Sequence, residues 1–227
     1  MIDRITLITA NYFLCSSTCA GYNEEISLIH SKLDVEAMQT ISMLADAHFK
    51  SGMLNKRRGD VDKSIEHLEK ALEFTKQCNG EKHIKVASIT DNLGMLYASR
   101  KEFAVAKQHY SSAYGIYEKS VGKDDLKTSD CAFRLGEVLE ALESNLALDF
   151  YKESLRVHRL NMAEDDARTG DILFCSGRVF LNGGDQQDAV KCFEEVCTSH
   201  VFSLWIVSSY HADCRLISIS IVFFSRA

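Results

Sequence analysis

The sequence predicts an all-α protein, an α-solenoid of antiparallel helical hairpins, and three observations predict it. Four glycines, Gly52, Gly94, Gly136 and Gly177, recur at spacings of 42, 42 and 41 residues, and other positions move with them. Within each unit apolar residues return every three or four positions, as one face of a helix requires. Proline is absent from all 227 residues, which favours helices over the turn-rich all-β alternatives.

The columns that travel with the glycines define the unit. Three residues after each glycine stand Asn55, Tyr97, Leu139 and Phe180. Further on come small residues, Ser64, Ala106, Ala147 and Ala189, followed four positions later by bulky ones, Leu68, Tyr110, Tyr151 and Phe193. Three more residues bring Ala71, Ala113, Ser154 and Val196. Two helices approach closely only where small side chains face each other, and large rings then fill the remaining space.

Each unit reads as two helices in chain order. In the second unit, Ile84 to Ser99 is one helix, Arg100-Lys101-Glu102 is a break, and Phe103 to Val121 is the next helix. Gly59-Asp60 and Gly183-Gly184-Asp185 are the corresponding breaks in the first and fourth units. Asn79-Gly80, Gly122 to Asp125 and Glu164-Asp165-Asp166 join one unit to the next. Connectors this short force antiparallel packing, and stacked neighbours hide the apolar faces that a lone hairpin leaves open. The organisation expected is four repeats over 45–199 (45–86, 87–128, 129–169 and 170–199). Residues 1–44 are an N-terminal helical segment; Ala10, 42 residues before Gly52, leaves open a degenerate earlier unit. Residues 200–227 are an apolar tail or a capping helix, with Leu204, Trp205 and Val207 as its bulky residues.

The string Asn92-Leu93-Gly94-Met95-Leu96-Tyr97, followed by Phe103, Ala106, Tyr110 and Ala113, resembles a tetratricopeptide repeat. The period of 42 is similar to the longer variety of kinesin light chains rather than to the common form of about 34. The resemblance covers roughly 45 to 198, with departures at Ser51, Ser176 and Asn55. It implies a right-handed superhelix whose first helices line a concave groove, one rung per unit. Matched residue by residue, the rungs it implies are Phe49 and Met53, then Asp91, Asn92 and Met95, then Phe133, Arg134 and Glu137, and last Phe174, Cys175 and Arg178. Aromatic and methionine anchors among single charges suit an extended peptide or a partner helix. These side chains are expected to point away from the hairpin cores, so that their loss leaves folding intact. Kinesin-light-chain-like repeats carry an asparagine on each rung, and only Asn92 is present here; Lys50, Arg134 and Cys175 hold the other places. The lysine and asparagine set that clamps a chaperone carboxylate in other members of the family is also missing.

No pattern suggests an enzyme. Neither a nucleophile elbow, nor a zinc-protease motif, nor a phosphate loop is written in the chain. His67, His109 and His158 fall on second helices and are expected to be exposed or half-buried. Acidic pairs such as Asp124-Asp125 sit at helix starts, where carboxylates act as caps. Cys197 and His200, with His211 and Cys214, are ligands of zinc type, yet an apolar link without a turn residue separates the two pairs, so no metal or cofactor is expected. Net charge is −6 with no basic stripe, which speaks against nucleic acid. His211, Asp213 and Arg215 interrupt the apolar C-terminal stretch, and Asp3 the N-terminal one, which speaks against a membrane span and a leader peptide. The eight cysteines form no CxxC pair and are read as reduced thiols of a cytoplasmic protein. The expectation is a non-catalytic scaffold for a protein or peptide partner, without a small-molecule substrate. The alternative is a regulatory or sensor fragment of a larger signalling enzyme or transcription regulator.

Overall fold

A computed structural model describes residues 36–161 and 167–198, together with Lys32. The proposed capping tail, His200, His211 and Cys214 of the zinc-type pattern and the Glu164 to Asp166 joint lie outside what it describes, as does most of 1–44. Among the described residues every regular element is helical: α1 (36–58), α2 (Val61–Asn79), α3 (Ile84–Ser99), α4 (Phe103–Ser120), α5 (Leu126–Ala141), α6 (Ala147–Asn161), α7 (Ala167–Gly183) and α8 (Gln186–Thr198). None of these helices is long and apolar enough to cross a membrane. Each odd-numbered helix pairs with the even one after it, each even helix packs on the next odd one, and α3 touches α5 as α5 touches α7.

The glycine column is a set of helix crossings. A Cβ built on Gly94 would stand 2.9 Å from the Tyr110 ring, and one on Gly136 2.6 Å from that of Tyr151. Gly177 meets Phe193 and Gly52 meets Leu68 in the same way. Ala106, Ala147 and Ala189 are buried beside them, and in the first unit the buried Ser64 hydroxyl donates to the Gly52 carbonyl at 2.8 Å. Small and bulky columns therefore interlock across each hairpin, as volume conservation in a close-packed core demands.

One turn closes all four hairpins. Asp60, Glu102, Ser144 and Asp185 donate their N–H to the carbonyls of Asn55, Tyr97, Leu139 and Phe180 at 2.9 to 3.0 Å. The residue before each donor has positive φ: Gly59 (80°), Lys101 (62°), Glu143 (54°) and Gly184 (86°). This is the Schellman ending, in which a left-handed residue lets the last carbonyls of the first helix find donors. Asp60 and Asp125 then cap α2 and α5 by accepting from Lys63 N and Lys127 N. α3 runs from Ile84 to Ser99 as read from the sequence, α5 and α7 open at Leu126 and Ala167, and α1 already runs from 36. The glycine column marks where helices cross, and helix ends are set separately by caps.

Candidate functional site

The odd-numbered helices share one face, and most of the rung residues gather there. Met95 of α3, Phe133, Arg134 and Glu137 of α5, and Phe174, Cys175 and Arg178 of α7 line a depression of about 450 Å³. Phe49 is placed differently, half-buried against the apolar cluster that Ile65 and Leu68 of α2 form with Leu93 and Leu96 of α3. Met53 is half-buried on the next turn of α1. Phe133 and Phe174 are only 3% and 4% exposed, so they form the floor and do not stand in the opening. Phe133 leans on the Tyr151 ring and Phe174 on that of Phe193. Arg168 lies over the Phe133 ring at 5.2 Å and Arg178 over that of Phe174 at 6.0 Å.

Polar rung residues are tied to one another across hairpins. Arg134 donates through Nη1 to Asp91 Oδ1 and Oδ2 at 3.0 and 2.8 Å. Lys56 Nζ donates to Asn92 Oδ1 at 3.0 Å and approaches Met95 Sδ at 3.2 Å. Arg178 donates through Nε and Nη2 to the two oxygens of Glu140, at 2.5 and 2.9 Å. Burial raises the Asp91 carboxyl, with Arg134 drawing it back, and burial together with Arg134 lowers the Lys56 ammonium. The expectation that rung side chains stand clear of the fold is corrected here: Asn92, Arg134 and Arg178 each bridge neighbouring hairpins.

Glu137 differs from these. It is exposed and makes no hydrogen bond or ion pair among the described residues. The protein mass on either side raises its carboxyl, although Arg168 and Arg134 oppose the shift. The ties also involve residues that the rung pattern did not single out. Lys56 and Glu140 each stand four positions after a column glycine. Their neighbours on the helix surface stand three before it and one after it, so helical spacing alone puts them on the same face.

The histidines are dispersed. His48 and His67 meet at 3.0 Å between Nδ1 atoms across α1 and α2, and His109 stacks on Tyr97 at 5.2 Å between ring centres. His158 is buried, 4% exposed, with Nε2 at 3.6 Å from Asp130 Oδ1, which corrects the expected exposure. Cys131 and Cys175 are buried free thiols, and Cys78 and Cys192 are half-buried ones.

Comparison with known proteins agrees with this architecture. The family model described as tetratricopeptide repeat matches residues 43–119 and again 92–159, together more than half of the chain. The clustered mitochondria protein homolog of Homo sapiens is 35% identical over 71 residues, and that of Danio rerio 34% over 71. The match takes in 31% of this chain, which spans about 5% of the length of either relative. Among solved structures, BtubC (BKLC) from P. vanneervenii superposes with a TM-score of 0.66 at 22% identity, over 75% of this chain and 67% of that one. A Podosopora anserina structure, described as a kinesin light chain with nearly identical TPR-like repeats, gives 0.62 at 16% identity, over 78% and 82%. At these identities the structural likeness concerns the fold.

Proposed function

The chain belongs to the tetratricopeptide repeat family, and from that premise we propose that it is a non-catalytic scaffold holding a peptide segment of a partner protein on the face of its odd-numbered helices. The observation that carries this reading is the depression between α3, α5 and α7, where apolar surface from Met95 and Phe174 opens beside polar groups already held in place. Side chains fixed by cross-hairpin pairs lose little freedom when a partner docks, which is how preorganisation raises affinity. The segment would lay an apolar side chain into the depression and run its backbone along Asn92, Arg134 and Glu137. Buried free thiols at Cys131 and Cys175 suit the reducing cytosol as its place of work.

The test uses peptides selected on the intact chain from a displayed random library. Glu137→Trp fills the depression without breaking any pair. It should lower affinity for those peptides at least about ten-fold while the melting temperature holds. Equal binding by the variant would move the working surface elsewhere.

A further inference from the structure

A second depression, of about 470 Å³, opens on the even-numbered side of the molecule, between α2, α4 and the start of α3. Its rim carries Lys76, Lys82 and Lys119, with Glu81 as the one carboxylate lining it. None of the three lysines makes an ion pair or a hydrogen bond through Nζ among the described residues, whereas Lys63, Lys70, Lys85, Lys123 and Lys191 are each paired to an acid. On a chain of net charge −6, three unpaired ammonium groups against one carboxylate around one hollow form a local excess of positive charge. Lys76 and Lys119 lie in the last turns of α2 and α4, where a cation favours a helix end. That accounts for each singly. It accounts neither for Lys82, which precedes α3, nor for the hollow between them.

The hollow has a sequence signature in Gly115. This glycine sits inside α4, where glycine weakens a helix relative to alanine, and a Cβ built on it would meet nothing within 4 Å. Unlike Gly94, it has no neighbour that demands its smallness. The matching positions of the other second helices are Glu73, Arg156 and Thr198. The missing side chain leaves the floor open beside Leu72, Ser112 and Ile116.

We propose that this depression binds a small soluble polyphosphate ester, its phosphates among Lys76, Lys82 and Lys119 and its organic body over Gly115, Leu72 and Ile116. Ammonium groups on flexible stems suit phosphate as point charges, and the volume is that of a small-ligand site. The site lies on the opposite helices from the proposed peptide face, so the two readings stand or fall separately.

Titration calorimetry on the full chain tests it, with adenosine triphosphate and inositol hexakisphosphate as the two esters and inorganic tripolyphosphate as the body-less arm. Saturable binding of at least one ester is expected, tighter than tripolyphosphate. Gly115→Leu keeps every charge, fills the floor and improves helix propensity, so it should fold and lose ester binding at least ten-fold. Lys76→Gln with Lys119→Gln should lose all three ligands. Ester binding unchanged by Gly115→Leu would mean a diffuse cationic surface and overturn the proposal, as would an absence of binding by the parent chain. Equal affinity for tripolyphosphate would remove the part assigned to the organic body.

Discussion

Arg134 of α5 donates from one nitrogen to both carboxylate oxygens of Asp91 in α3, at 3.0 and 2.8 Å, and so adds a direct tie between two hairpins that meet mainly through α4. The side chains are 21% and 12% exposed, which puts the pair between surface and core. Removing one partner strands the other's charge in a partly desolvated place. Asp91→Ala should therefore destabilise by about 2 kcal/mol, and Asp91→Ala with Arg134→Met by clearly less. A double-mutant cycle on denaturant midpoints reads the difference. Additive losses would mean that the pair is not coupled.

Two glycines of similar appearance should respond with opposite sign. Gly94→Ala drives a methyl into the Tyr110 ring and should cost about 1–3 kcal/mol. Gly115→Ala meets nothing and should gain about 0.5–1 kcal/mol from helix propensity. Thermal melts of the two variants against the parent decide it, and equal effects of one sign would refute the packing described.

The closing turns of the second and third hairpins place Lys101 and Glu143 where the first and fourth place glycine. A side chain at positive φ is strained by about 1–2 kcal/mol. Lys101→Gly and Glu143→Gly should each raise stability, by up to roughly 1 kcal/mol once the greater freedom of the unfolded glycine is set against the relief. Gly59→Ala should lower it. A loss in both glycine variants would show that the turns are not strained.

Acid should weaken the first two hairpins. Burial lowers the pKa of His48, helped by the nearby His67 and Lys70 and opposed by Glu66, and burial lowers His109 likewise. With the folded pKa below the ordinary value of about 6.5, the unfolded chain takes up protons first as pH falls. The stability is thus complete above that value and is lost progressively below it, down through the folded pKa. Melting temperature should drop as pH falls below about 6.5, and His48→Phe, which can pack on Phe74, should flatten the drop. An identical pH profile in the variant would place the titration elsewhere.

The repeat was legible because two columns constrain each other sterically. At each of the four column glycines the partner helix supplies Leu68, Tyr110, Tyr151 or Phe193, and this coupling of sizes recurs while most other positions differ from unit to unit. The turn at Arg100 to Glu102 was read from its charged break, whereas the one at Glu143 was not placed, since the left-handed geometry is there without the glycine that announces it. The cross-hairpin ties were not legible. Lys56 reaches Asn92, and Glu140 takes Arg178, only because stacking sets the rise between units, a quantity that no single repeat encodes. His158 is buried with its ring facing Asp130 of α5, a pairing that the repeat columns do not encode.

The central claim is that the odd-numbered helices carry the partner. Its most direct measurement is photo-crosslinking, with benzoylphenylalanine placed either at Met95, in the depression on α3, or at the exposed Lys107 of α4. With a library-selected peptide bound, the account predicts crosslinks from position 95 and none from 107. Crosslinks from 107 alone would contradict it and assign the binding surface to the even-numbered helices.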